Sequence, residues 1–238
     1  MKIKHHEPVR VKTELGRLYL TPDGRRYPGV TTILDITKPE AAKTALAAWA
    51  ERENNRSPGG ADRITKFACD RGTWVHNSVD HWYLHQAPPE YHYAFQPWFN
   101  SLLPVLDSLG ERFAAEQAVY HRYYAYAGTY DMITRTDDGE FHLIDWKTSV
   151  RPKSAERLYD YSLQLAAYTY AIEDTYAEAG IYIDSAKLVV ALPDEKPQIV
   201  TYTRDDLEDR FDDFRKRLSE YQKWSIIKHN QLLRDTAP

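Results

Sequence analysis

Cysteine is nearly absent from this 238-residue chain, where Cys69 stands alone. A single thiol excludes an intramolecular disulfide and a four-cysteine iron–sulfur cluster. Long apolar runs are missing too. Nothing approaches the roughly 18 residues of a membrane span, and the opening MKIKHHEPVRVK lacks the apolar core of a signal peptide. No membrane association is expected, and the reading is of a soluble, cytoplasmic protein. The phosphate-loop pattern GxxxxGK[ST] does not occur, so any ATP-driven motor would have to be a separate partner. Positive charge is not in excess: 31 Lys and Arg face 35 Asp and Glu, for a net charge of -4. That excludes a general cationic coat for DNA but leaves a local basic groove open, because binding follows where charge sits.

Apolar residues make up 42% of the chain and charged residues 28%, enough for a real core. Residues 1–238 read as one domain without repeats, low-complexity tracts or linkers. Residues 1–110 form an N-terminal ribbon followed by helices. Within them, residues 10–20 read as one strand, and Pro39 opens a helix. Residues 61–85 form a second helix, with Ala68, Val75, Val79 and Trp82 along much of one stripe. A third helix, HYAFQPWFNSLLPVLDSLG, is interrupted by Pro97 and Pro104. Residues 111–203 change character. RFAAEQAVYH, GTYDMITRT and EFHLIDWKT read as strands, SAERLYDYSLQLAAYTYAIEDTYAEAG as a long helix, and SAKLVVALP and PQIVTYT as further strands. Residues 204–238 give a charged amphipathic C-terminal helix. The expected fold class is α/β, a mixed sheet with helical cover.

The stretch AGTYDMITRTDDGEFHLIDWKTS places acids among apolar strand residues. Its DDG turn, with Gly139 suited to a left-handed position, pairs Thr136 with Glu140. Stepping back along both strands sets Asp131 opposite Asp145, with β-carbons roughly 4.5–5.5 Å apart. Asp145 and Lys147 share a face, while Trp146 points to the other. Two opposed carboxylates repel, and a divalent cation such as magnesium or manganese resolves the repulsion. Lys147 would then stabilise charge at a phosphorane or orient the attacking water. The plain alternative is a solvated ladder in which Lys147 neutralises the pair. Glu116 has small same-face neighbours in Ala114 and Ala118 and is either a further acidic ligand or a solvated strand residue.

On the second helix Gly72, His76 and Asp80 lie one turn apart on one face, beside the apolar stripe. Gly72 costs about 1 kcal/mol relative to alanine there and would suit a close approach. His76 reads either as a contact to metal or phosphate, or as a boundary histidine bonded to Asp80. On the long helix Gln164 and Tyr168 are spaced to orient Lys147 or meet a phosphate, or simply pack. Thr148, Ser149, Arg151, Lys153, Ser154 and Arg157 lead into that helix and could attract phosphate. Arg25, Arg26 and Lys38 offer a second basic edge.

The ordered groups GTWVH, AGTYD, IDWK and QLAAY, with YPGVTTIL upstream, resemble the RecB-like branch of the PD-(D/E)XK nuclease superfamily. That branch includes stand-alone phage exonucleases and the mitochondrial genome-maintenance exonuclease. The resemblance covers roughly residues 27–170. It implies a restriction-endonuclease-like core and metal-dependent hydrolysis of DNA, leaving 5′-phosphate and 3′-hydroxyl ends. It makes Asp131 and Asp145 metal-ligand positions and Lys147 the catalytic lysine. His76 becomes a further ligand, Glu116 an acidic position on the preceding strand, and Gln164 and Tyr168 the motif after the catalytic strand. The implied cofactor is magnesium or manganese, without the iron–sulfur cluster of some relatives. The implied partner is DNA, with any helicase, recombinase or single-strand-binding protein supplied separately. A structure-specific or single-strand endonuclease and a non-catalytic nucleic-acid-binding protein are the competing readings.

Overall fold

The computed structural model describes residues 7–13 and 16–235, with side chains to residue 231. The first six residues of the opening segment, Glu14 and Leu15 of the expected first strand, and residues 236–238 lie outside that description. The expected strand over residues 10–20 is two strands, β1 (Val9–Thr13) and β2 (Gly16–Leu20), paired antiparallel from Val9↔Leu20 to Thr13↔Gly16. Gly16 has φ +103°, a conformation that favours glycine and lets the chain reverse. β3 (Arg26–Pro28) completes a three-stranded ribbon.

Helix α1 (Val30–Ile36) buries Val30, Ile33 and Leu34. Helix α2 (Glu40–Arg56) starts after Pro39 as expected but buries no residue, so its Ala, Leu and Trp spacing marks no core face. In α3 (Gly60–His85), Val75 and Val79 are fully buried, while Ala68 and Trp82 are only half-buried. The third expected helix is shorter. α4 (Gln96–Leu106) has Pro97 in its first turn, where a missing N–H costs nothing, so this proline starts the helix rather than interrupting it. Pro104 is inside α4, close to where a 3-10 turn at Asp107–Leu109 takes over.

Two of the expected strands are each split. β4 (Glu111–Ala115) and β5 (Ala118–His121) replace the first, while β6 (Tyr126–Thr129) and β7 (Met132–Arg135) replace the second. β4 pairs with β7 and β5 with β6, in different sheets, so Ala114 and Ala118 are not same-face neighbours in one strand. Both ribbons bend at one level. Glu116 N–H donates to Asp131 O at 3.0 Å, and Glu116 adopts φ +52° to do so. A non-glycine residue in that region is uncommon and marks a constrained position.

The remaining elements are β8 (Phe141–Thr148), α5 (Ala155–Thr175), β9 (Ser185–Ala191), β10 (Gln198–Tyr202) and α6 (Arg204–Asp235). The five-stranded sheet runs β10-β9-β8-β7-β4. β8 and β9 are parallel, joined through α5, and the other pairs are antiparallel. The fold is therefore α/β: a mixed central sheet flanked by helices, with an N-terminal elaboration of strands and helices. The DDG turn works as expected. Thr136 N–H donates to Glu140 O at 3.0 Å, Gly139 has φ +95°, and the register follows from Arg135↔Phe141 to Met132↔Ile144.

Alternation along β8 assigns its faces. Leu143 joins Leu163, Ala166, Leu188 and Val190 in the core shared with α1, α5 and α6. Ile144 and Trp146 join Val75, Val79, Phe99 and Leu102 in the core beneath α3 and α4. Asp145 and Lys147 thus lie on the α5 side, and α3 covers the opposite face.

Candidate active site

The site forms where β7 stops and β8 continues. Asp131 is not a strand residue: it sits one step past Met132, outside the ladder but on the register that would face Asp145. The end of β7 leaves the Trp146 peptide without its ladder partner. Two side chains take it over. Asp131 Oδ2 accepts from Trp146 N–H at 2.8 Å, and His76 Nε2 donates to Trp146 O at 2.8 Å.

That arrangement settles the imidazole. A carbonyl oxygen can only accept, so Nε2 carries a proton and a neutral ring presents the Nδ1 lone pair. Nδ1 lies 3.7 Å from Asp131 Oδ1 and 3.9 Å from Glu116 Oε1. One donor atom from each of His76, Glu116 and Asp131 falls within 4.8 Å of the others, a candidate metal-holding cluster. Burial disfavours the imidazolium of His76. The charge of Asp131 and the approach of Glu116 outweigh it, and the pKa rises to about 9. The donor set of one nitrogen and two carboxylates fits a divalent cation, and the raised pKa shows that the pocket attracts positive charge.

Asp145 stands next to this cluster but is not in it. At 1% side-chain exposure, its Oδ1 accepts from Gln164 Nε2 at 2.8 Å, and its Oδ2 forms an ion pair with Lys147. Burial pushes the Asp145 carboxyl up to about 6, against the pull of Lys147 and with the repulsion of Asp131. Burial lowers the Lys147 pKa, but Asp145 and Asp131 raise it further, so the group is an ammonium. Its Nζ lies 5.1 Å from the centroid of Tyr161.

Other expectations need adjustment. Gln164 holds Asp145, whereas the sequence suggested Lys147 or a phosphate. Tyr168 is buried with its ring against Gly128, where an added β-carbon would come within 2.3 Å of it. Asp80 pairs with Arg112 at 2.7 Å rather than with His76. Gly72 is not a forced small residue, since a β-carbon there would meet Thr148 Oγ1 at 4.0 Å, an ordinary contact.

Thr148 ends β8 just past Lys147, and Ser149 follows it. Thr148 Oγ1 accepts from Arg71 Nε at 3.0 Å, and Ser149 O accepts from Trp98 Nε1 at 2.8 Å. Lys153 is half-buried, and Arg151 and Arg157 are exposed. Arg25 pairs with Asp23 at 3.1 Å and Lys38 with Asp35 at 3.3 Å, while Arg26 is exposed at the start of β3. No contact among the described residues ties those three to the cluster.

Sequence reasoning missed the Trp146 peptide, Gly128, Tyr161 and Arg71. Only two of these left a signal. Gly128 stands in AGTYD without a turn to require it, and Arg71 precedes GTWVH inside an otherwise apolar helix face.

The chain is similar to known proteins. The mouse mitochondrial genome maintenance exonuclease 1 is 28% identical over 181 residues, covering 71% of this chain and 51% of the mouse protein. The chain thus spans about half the length of that curated relative. A crystal structure of a candidate exonuclease from Eubacterium rectale superposes with a TM-score of 0.40 at 12% identity, covering 63% of this chain and 65% of that one. The family model of the PD-(D/E)XK nuclease superfamily matches residues 38–231. That span takes in the His76–Glu116–Asp131 cluster, Asp145 and Lys147, and on its strength the chain belongs to the PD-(D/E)XK nuclease superfamily.

Proposed function

We propose that this protein is a magnesium- or manganese-dependent DNA exonuclease of the RecB-like branch, acting on free ends or single strands. The observation that carries the reading is the convergence of His76, Glu116 and Asp131 beside the Lys147 ammonium. The mouse relative, named as an exonuclease, supports the choice among nuclease activities.

His76, Glu116 and Asp131 would hold the cation, with Asp145 adjoining. Bound there, a divalent ion supplies Lewis acidity and a water of lowered pKa. The chain's own groups do the rest. The Trp146 peptide holds Asp131 and His76 in register with each other. Gln164 fixes the buried Asp145 carboxylate. Lys147, kept protonated by Asp145, places a positive charge where a phosphate oxygen gains negative charge during hydrolysis. A raised pKa makes Lys147 a poor general base, so its role is electrostatic.

The test is digestion of linear and covalently closed circular DNA with magnesium, with manganese and with EDTA. Consumption of linear DNA alone, abolished by EDTA and by Lys147→Ala, is the expected result. Rapid cutting of closed circles would favour the endonuclease reading. Binding of DNA without any ion-dependent cleavage would favour a binding protein. In the exonuclease reading, strand opening by a separate helicase, or protection and pairing by a recombinase or single-strand-binding protein, falls to partners in the cytoplasm.

A further inference from the structure

Arg71 and Arg217 are both deeply buried, at 5% and 9% exposure, yet they are treated differently. Arg217 uses its whole fork: Nε donates to Thr37, one amino group to Asp160 at 3.1 Å, the other to the carbonyl of Leu34 at 2.6 Å. Arg71 donates only from Nε, to Thr148 Oγ1 at 3.0 Å. Its two terminal amino groups have no hydrogen-bond or ion-pair partner among the described residues. Neither is completely sealed from solvent. A buried guanidinium without a carboxylate is expensive to maintain.

The side chain is nevertheless held in place. Its guanidinium carbon lies 4.7 Å from the centre of the Trp98 ring, and Trp98 is itself fixed by its indole N–H on Ser149 O at 2.8 Å. Thr148, the residue that Arg71 grips, directly follows Lys147. A second cation stands nearby. Lys153 Nζ lies 6.0 Å from the Tyr161 ring centre, and Lys147 Nζ lies 5.1 Å from the same ring. The backbone of Lys153 is clamped by both ends of the Gln198 amide, at 2.8 and 2.9 Å. Lys153 forms no ion pair among the described residues, and its pKa is lowered by burial, Arg157 and Arg71. Two pre-positioned cations without counter-charge thus flank the strand end that carries the catalytic lysine.

We infer that Arg71, with Lys153 beside it, binds a non-scissile phosphate of the DNA strand being cut and so sets the strand's register over Lys147. The inference rests on the nuclease reading above. The chemistry fits phosphate: a planar fork with two free amino groups matches two oxygens of a phosphodiester, and stacking on Trp98 leaves its donor edge available.

The experiment measures binding of a fluorescent single-stranded oligonucleotide to the full chain by anisotropy, with calcium replacing magnesium. Arg71→Gln is expected to weaken binding about tenfold and to reduce the salt slope by about one phosphate contact, with Arg71→Lys partly restoring both. Oligonucleotides carrying one neutral methylphosphonate at successive positions locate the contact. Wild type should lose about tenfold at one position away from the cleaved bond, and Arg71→Gln should be indifferent at that position alone. Lys153→Gln, which leaves the Arg71–Trp98 stack in place, should blunt the same position if Arg71→Gln fails to fold. An arginine that merely fastens α3 to β8 predicts a lower melting temperature with the full wild-type profile of methylphosphonate sensitivity, and that result overturns the inference. So does an unchanged profile in both variants while wild type still cleaves. Wild-type protein with no ion-dependent cleavage would instead sink the nuclease reading, and wild-type protein that does not bind DNA would sink both.

Discussion

His76 Nε2 donates to the carbonyl oxygen of Trp146 at 2.8 Å, and this bond turns the opposite ring nitrogen toward Asp131 and Glu116. It joins α3 to the strand that carries Asp145 and Lys147, across the edge where β7 has ended. A metal-ligating histidine is commonly held this way, with its distal N–H on a carbonyl or carboxylate.

His76 variants should therefore follow the position of Nδ1. The amide of Asn reaches about as far as Nδ1, and that of Gln about as far as Nε2. His76→Asn should keep more manganese affinity than His76→Gln, and His76→Ala should lose the most. Cleavage supported by magnesium should suffer more than cleavage supported by manganese, because manganese accepts mixed ligand sets more readily. Titration calorimetry and rate measurements with each ion check this. Equal losses in all three variants, with lowered thermal stability, would return His76 to a packing role.

Cation binding should release a proton near pH 7.5. The His76 pKa stands at about 9 in the metal-free protein, so the ring is largely protonated there, and a cation on Nδ1 must displace that proton. Calorimetry in buffers of different ionisation enthalpy reads the release directly, and it should vanish in His76→Ala. The same shift predicts a stability trend without metal. A pKa raised above the usual histidine value stabilises the fold fully below about pH 6.5. The contribution is lost as pH rises through about 9. The raised Asp145 pKa acts with the same sign, its contribution disappearing as pH rises through about 6. Melting temperatures between pH 5 and pH 9 should accordingly fall more in EDTA than with manganese.

Lys147→Ala should reduce turnover by about 10²-fold or more, the scale of losing one preorganised electrostatic group. It also leaves Asp145 buried without its cation. The Asp145 pKa, already about 6, should rise further, and the variant should bind metal best at more alkaline pH than wild type. Near-normal turnover by folded Lys147→Ala would remove the lysine from the mechanism.

Gln164→Leu removes the donor to Asp145 Oδ1 while keeping the helix apolar. An acceptor left unsatisfied in the core costs about 1–3 kcal/mol, so chemical denaturation should show a loss of that size. Turnover should fall with little change in DNA affinity. A loss of DNA affinity alone would mean that Gln164 contacts the nucleotide instead.

Gly128→Ala should destabilise the fold by about 1–3 kcal/mol, because the new methyl would overlap the Tyr168 ring. Shrinking the ring with Tyr168→Leu should recover part of that loss in the double variant. Full stability of Gly128→Ala alone would show that α5 can shift away from β6 without cost.

Local chemistry determined the register of β7 and β8. The DDG turn requires a left-handed glycine, and once Gly139 supplies it, strand periodicity carries Asp131 to the level of Asp145 and puts Lys147 on the same face. The acidic and basic groups of the site could be listed for the same reason: each lies within a short periodic segment. The split of β4 from β5 and of β6 from β7 was not legible, because no glycine or proline marks either break. It follows from pairing across the chain, where Glu116 N–H meets Asp131 O. Tertiary structure alone decided which acid joins His76 and Glu116 and which pairs with Lys147. Asp131 is freed by the end of β7, while Asp145 is held in the core by Gln164 on α5, which covers that face of the sheet. Arg71 differs for a similar reason. Its sequence shows a charge on a helix, but only packing against Trp98 and Thr148 buries that charge with its amino groups unpaired. Spacing fixes direction along one segment; desolvation and the choice of partner depend on residues distant in sequence.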